Sequence, residues 1–189
     1  MLDSVTIKDD HSMLFGKKSC LRRPEKEDYG RIWIWWNEPE IQSLLNLHPF
    51  PPAFDDVEIC YNNSIFDRTK EFFIIHAFDK KTIGTIDLYD IRWREGSSSI
   101  TVMIGEKEYW SKGYGADAIL TLIEFAFTEL SLRRVEVTVA EYNKRAIKCY
   151  EKCGFKLEGC LRKRLLLDGN YYNQHIMALL REEYVNVLA

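Results

Sequence analysis

The sequence has no apolar run of about eighteen residues, which excludes a membrane-spanning helix. It has no basic leader followed by an apolar stretch: Met1 to Asp10 is polar and acidic, so a signal peptide is not expected. No internal repeat and no low-complexity segment is present. There is no surplus of basic charge. Lys and Arg total 26 against 29 Asp and Glu, a net charge of −3, whereas a general nucleic-acid binder is usually basic. No C-x-x-C pair occurs, and the His residues are scattered at 11, 48, 76 and 175, so no metal site is expected. The 5 cysteines are an odd number, which argues against a fully paired disulfide framework. Cys149, Cys153 and Cys160 therefore read as free thiols. What remains is an ordinary globular composition, 46% apolar and 29% charged. At roughly 150 residues per domain, 189 residues make one domain with an appendage. The expectation is a cytoplasmic protein with an N-terminal arm over 1–17 and a single domain over 18–189.

The pattern along the chain changes twice. A strand is expected at Cys20-Leu21-Arg22-Arg23, stopped by Pro24. The acidic Glu25-Lys26-Glu27-Asp28 suits a helix N-terminus. The helix after it carries Trp33, Trp35 and Trp36, which cannot all share one face, so some belong to the core and others line a pocket or a surface. A second helix fits Glu40 to Leu47, His48 to Pro52 forms a rigid connector, and a third helix runs to Asp67, capped by Asp55 or Asp56. Strands follow at Glu71–Phe78, Thr82–Ile91 and Ser99–Ile104, joined by short turns as an antiparallel meander. From Gly113 the apolar residues Ala116, Ile119, Leu120, Ile123, Ala126 and Phe127 recur at helical spacing. Val135, Val137 and Val139 alternate as a strand. Asn143 opens another helix that Gly154 ends. Phe155–Leu167 and Tyr171–Leu180 form a hairpin around Asp168-Gly169-Asn170. This is an α/β arrangement around a single mixed, mostly antiparallel central sheet of about seven strands flanked by helices.

The stretch Tyr109-Trp110-Ser111-Lys112-Gly113-Tyr114-Gly115-Ala116 lies between a strand and the long amphipathic helix. Its glycines let the backbone turn tightly and aim several N–H groups at one place. A helix N-terminus there favours an anion, most naturally a phosphate or pyrophosphate. Gly113-Tyr114-Gly115-Ala116-Asp117-Ala118 formally fits the dinucleotide fingerprint G-x-G-x-x-A. In that fingerprint the strand runs directly into the first glycine. Here Gly105 to Lys112 intervene, and the preceding strands are hairpin-linked, so a nicotinamide-dependent oxidoreductase is the weaker reading. A Walker loop is excluded because no G-K-[ST] is present.

Trp110 to Gly115 also resembles the coenzyme A loop, x-x-x-G-x-G/A, of the GCN5-related N-acetyltransferase (GNAT) superfamily. Asn143-Lys144-Arg145-Ala146-Ile147-Lys148-Cys149-Tyr150-Glu151-Lys152-Cys153-Gly154-Phe155 is similar to that family's N-x-x-A-x-x-x-Y-x-x-x-G-F signature. The motifs occur in the family's order, and the resemblance spans residues 18 to 181. Tyr109-Trp110 and Glu158-Gly159 are similar to the RimJ/RimL-like and spermidine acetyltransferase branches.

The resemblance implies the acyl-CoA N-acyltransferase fold and acetyl transfer from acetyl-CoA, with no metal. The pyrophosphate would rest on backbone N–H groups of Ser111 to Ala116, with Lys112 adding charge. The pantetheine arm would pair alongside Met103, Ile104 and Gly105, where a free N–H could polarise the thioester carbonyl. Asn143 would cap its helix and approach the coenzyme. Tyr150 would protonate the departing thiolate, a task suited to a phenol of pKa near 10. The acceptor amine, of pKa about 10.4, must lose a proton, which costs roughly 4.6 kcal/mol at pH 7. Many relatives place a Glu for this on the third meander strand, where this chain has Ile100. Asp87 is the nominated base or amine anchor, and Glu141 the weaker alternative. Direct attack in a ternary complex draws mainly on proximity, and no cysteine sits in a nucleophile context. The acceptor is a protein N-terminus, a polyamine or another small amine, and the protein a monomer or homodimer. A family member that binds acyl-CoA without turnover, as a sensor, is the alternative. Residues 25–71 hold 4 basic and 10 acidic side chains, a net −6, which leans toward a cationic acceptor.

Overall fold

The computed structural model describes residues 13–45, 51–79 and 81–184, without the side chains of residues 63–66. Strands β1 (Met13–Phe15) and β2 (Ser19–Arg22) form a hairpin. Three helices follow: α1 (Tyr29–Trp36), α2 (Pro39–Leu45) and α3 (Phe54–Phe66). The meander is β3 (Glu71–Ala77), β4 (Lys81–Arg92) and β5 (Ser97–Ile104). Then come α4 (Tyr114–Thr128), β6 (Arg134–Ala140) and α5 (Lys144–Lys152). The hairpin β7 (Lys156–Leu167) and β8 (Asn170–Leu180) leads into a last turn, α6 (Arg181–Tyr184). One 8-stranded sheet has the order β1-β2-β3-β4-β5-β6-β8-β7, antiparallel throughout except at the parallel β5–β6 pair.

The sheet therefore has one strand more than expected. Met13–Phe15, read from sequence as part of an arm, pairs with β2 as the edge strand. Of the expected second helix, Pro39–Leu45 is present, whereas Asn46, Leu47 and most of the His48–Pro52 connector lie outside the described residues. The cap of α3 also differs. Ala53 is the N-cap, and Asp56 accepts its N–H at 2.7 Å from inside the first turn. The last hairpin closes tightly, with Asp168 at φ +48° and Gly169 at φ +77°, the primed turn that matches strand twist.

Adjacent strand residues point to opposite faces, so Ile74 and Ile75 enter different cores. On one face α4 buries Ile119, Leu122, Ile123 and Ala126 against Ile75, Ile86, Ile100 and Val137. On the other, the front helices bury Ile32, Trp35, Ile41 and Val57 against Ile74 and Met103. Each such aliphatic side chain stabilises the fold by about 1.5–3 kcal/mol. The three front tryptophans divide as their spacing requires. Trp35 is buried, Trp36 packs at the edge of the core, and Trp33 is exposed with its indole N–H on the Pro52 carbonyl at 2.9 Å.

The parallel pairing of β5 and β6 is short. It covers only Ser97 to Ser99 against Arg134 to Glu136. Beyond Ser99 the two strands part, and the gap between them passes through the sheet.

Candidate active site

The gap leaves backbone groups of β5 without a strand partner on the β6 side. Gly105 N–H donates to the Ile83 carbonyl at 2.8 Å, which marks that cross-strand pair as the hydrogen-bonded kind. By antiparallel alternation, Met103 and Thr101 also turn their N–H and C=O groups to β4. Val102 and Ile104 turn theirs away, toward the gap. The Ile104 carbonyl accordingly accepts the Trp110 indole N–H at 2.6 Å. Of the three residues expected to offer a free N–H, Ile104 turns its own toward the gap, as Val102 does, whereas Met103 and Gly105 face β4. Gly105 is constrained for another reason. A Cβ there would stand 2.1 Å from the Trp35 ring.

The glycine stretch forms the entry to α4. Ser111 has φ +59° and Gly113, the N-cap, φ +88°, both in the left-handed region. The first helical bond runs from Asp117 N–H to the Gly113 carbonyl at 3.0 Å. The N–H groups of Tyr114, Gly115 and Ala116 therefore have no partner within the helix, and the macrodipole places positive charge beside them. A second segment braces this turn. Asp117 accepts Lys17 N–H (2.7 Å), Lys18 N–H (3.0 Å), Ser19 N–H (3.0 Å) and the Ser19 hydroxyl (2.8 Å). Lys18 Nζ donates to the Lys112 carbonyl at 2.8 Å. Lys18 thus brings its charge onto the loop from almost a hundred residues away.

A cavity of about 300 Å³ runs between this turn, β5 and α5. Its floor is Val102, Met103 and Ile104, and one end is Trp110, Ser111, Gly113, Gly115 and Ala116. Its far wall is α5, through Asn143, Arg145, Ala146 and Tyr150. Of the residues expected at the coenzyme, Gly105, Lys112 and Tyr114 do not line it; the others do. A second cavity of about 170 Å³ fills the gap, lined by Thr101, Val102, Thr138 and Ala140 among others. Asn143, Ala146 and Tyr150 border both cavities, so the two meet there.

Asn143 accepts the Ala146 N–H at 3.1 Å, which caps α5, and its amide reaches the Leu44 carbonyl at 3.4 Å. Tyr142 donates to the Ser43 carbonyl at 2.7 Å. These bonds pin the end of α2 over the cavity junction. The Tyr150 ring is 5% exposed and packs edge-on to Phe155 at 5.6 Å. Burial holds its phenol well above the ordinary range, with the nearby Cys149 and Cys153 adding to the effect, so it is protonated at any working pH. Among the described residues its hydroxyl has no hydrogen-bond partner.

Asp87 does not line either cavity. It lies opposite Thr101 across the β4–β5 ladder and two residues before Tyr89, and both of those line the second cavity. Its carboxyl is pushed from 3.8 up to about 7 by burial, against the pull of Lys70. Ile100 points to the opposite face under α4 and is 1% exposed. Two other acids are committed elsewhere. Glu141 accepts Asn173 N–H at 2.6 Å and its amide at 3.0 Å. Burial raises the Glu106 carboxyl, but Trp35, Arg31 and Lys81 together outweigh it and hold the group ionised.

Sequence reasoning missed Lys18, Asp117 and Arg145. Arg145 stacks its guanidinium 3.6 Å from the Trp110 ring centroid, joining α5 to the loop before α4. Its place on the cavity face of α5 was readable from helical spacing, whereas the partner of Asp117 was not.

Residues 18–156 match the family model of the acetyltransferase (GNAT) domain. The chain belongs to the GNAT acetyltransferase family. A spermidine N(1)-acetyltransferase of Vibrio cholerae is 30% identical over 166 residues, 88% of this chain and 95% of that protein. An uncharacterised N-acetyltransferase of Bacillus licheniformis, p20, is 29% identical over 174 residues, 90% of this chain and 97% of its own. A crystal structure of the Vibrio cholerae spermidine N-acetyltransferase with CoA and spermine superposes with a TM-score of 0.83 at 30% identity, covering 89% of this chain and 99% of that one. The acetyltransferase fold excludes the oxidoreductase reading, since the sheet before the glycine turn is an antiparallel meander and not a doubly wound one. Among the described residues no group of acids, His and Cys is placed to hold a metal ion. No described helix is long and apolar enough to cross a membrane.

Proposed function

We propose that this acetyltransferase moves the acetyl group of acetyl-CoA directly onto a primary amine of a small polycation of the spermidine kind. The observation that carries the reading is the junction of two cavities at Tyr150. One holds the coenzyme, with its pyrophosphate on the first turn of α4 and its pantetheine along Val102 to Ile104. The other, reaching through the sheet toward the front helices, admits the amine. Both substrates then meet at the thioester without a covalent enzyme intermediate, and alignment supplies up to about 7–11 kcal/mol.

The Val102 or Ile104 N–H, aimed into the gap, polarises the thioester carbonyl as negative charge develops on its oxygen. Tyr150, protonated, delivers its proton to the departing thiolate of CoA. Asp87 takes the proton of the attacking ammonium or anchors it, and a carboxyl poised at about 7 is matched to that work at neutral pH. The domain we assign to this activity is 18–189, to which β1 adds a strand.

Charge supports a cationic acceptor, with qualification by contact. Several front acids are already paired: Asp28 with Arg22, and Glu38 and Glu40 with Lys107. Asp55 and Glu58 of α3 make no ion pair among the described residues. Spermidine, spermine, a monoamine and an N-terminal peptide offered at equal concentration test the assignment. Acetylated polyamine with the highest kcat/KM supports it; preference for the peptide or the monoamine overturns it.

A further inference from the structure

The helix α5 carries more charge into the coenzyme cavity than the family motif requires. At 3.6 residues per turn, Arg145, Lys148 and Lys152 fall within about 60° of one another around the helix axis. All three line the cavity. Arg145 is engaged with Trp110. Lys148 and Lys152 have no ion pair or hydrogen bond among the described residues, so both ammonium groups are available to a ligand in the cavity.

Their position is fixed by the residues beside them. Cys149 Sγ lies 3.8 Å from where a Gly115 Cβ would stand. Cys153 Sγ donates to the Ala116 carbonyl at 3.7 Å. Lys148 and Lys152 are the residues immediately before those cysteines, one helical turn apart, so their stems start about 6 Å from each other beside the first turn of α4. Glu151 projects from another side of α5 and does not line the cavity.

We propose that Lys148 and Lys152 form a clamp for the 3′-phosphate of coenzyme A, making this enzyme selective for CoA over its 3′-dephospho form. The inference rests on the coenzyme reading above. The division of labour is chemical. A pyrophosphate wedged against backbone is served by the fixed N–H groups of Tyr114 to Ala116. A terminal phosphomonoester near the solvent edge carries close to two negative charges and presents its oxygens in any direction. Two flexible ammonium groups, each a point charge with three donors, suit it better than a fixed cradle.

Isothermal titration with CoA and with 3′-dephospho-CoA tests this on the wild type and on the Lys148→Ala/Lys152→Ala double variant. The wild type is expected to prefer CoA by about tenfold, the size of a charge-assisted contact. The double variant loses that preference by weakening for CoA alone, and Lys148→Arg/Lys152→Arg retains it. Unchanged affinity for dephospho-CoA also shows that the variant is folded. A wild type that binds both ligands equally overturns the clamp and leaves the acetyltransferase reading intact, as does an equal loss for both ligands in the variant. A wild type that binds neither removes both.

Discussion

Replacing Asp87 by Asn separates catalysis from stability in opposite directions. The carboxyl is held neutral up to about pH 7, whereas an ordinary one ionises near 3.8. The folded state therefore resists this charge by about 2–4 kcal/mol. The sign follows from proton binding. Between pH 4 and 7 the folded protein keeps a proton that the unfolded chain has released, so the Asp87 contribution to stability falls as pH rises through that window, then levels off. Asn has no such titration. Asp87→Asn should match the wild type most closely near pH 4 and exceed it by about 2–4 kcal/mol at pH 8 in urea melts. Activity moves the other way. With amine saturating, wild-type kcat should rise about tenfold per pH unit up to an apparent pKa near 7. The variant should lose that limb and about 10²–10⁴ of rate. A stability gap that is the same at pH 5 and pH 8 would refute the burial argument, and an unchanged acid limb with unchanged rate would refute the role in proton transfer.

Tyr150→Phe keeps the ring against Phe155 and removes only the hydroxyl. Acetyl-CoA affinity by titration should hold while kcat falls about 10²–10³-fold; full activity would remove the acid assignment. Gly105→Ala drives a methyl to 2.1 Å from a Trp35 ring that is buried and tied to Glu106 by its indole N–H, so calorimetry should show Tm lowered by about 5 °C. Asp117→Ala strands the donors of Lys17, Lys18 and Ser19, and should cost about 2–4 kcal/mol in denaturant melts, with Asp117→Asn losing less.

The legible parts of the sequence are those whose cause is local. The apolar spacing from Ala116 to Phe127 is one face of α4, the Gly113 turn is its N-cap, and Asn143 caps α5 as its side chain allows. Tyr150 could be placed because the same helix period carries it inward with Ala146. Other features depend on contacts between distant segments. Asp87 alternates with apolar residues and reads as a solvent-facing strand position, whereas in the fold burial raises its carboxyl. The close fit of Gly105 comes from a tryptophan seventy residues earlier. The extra edge strand escaped because Met13–Phe15 is too short to alternate visibly and gains its order from β2. Lys148 and Lys152 were not singled out, because helical spacing alone puts them on one side of α5; that this side faces a cavity follows from the cysteines that dock α5 onto α4.

The most direct test of acetyl transfer in a ternary complex is a single-turnover measurement of CoA thiol release from acetyl-CoA, with and without spermidine, followed by the mass of the intact protein. Release only when the amine is present, with acetylspermidine formed in equal amount and the protein mass unchanged, is the predicted result. Thiol release without amine and a protein heavier by one acetyl group would contradict it, as would tight acetyl-CoA binding with no release for any amine.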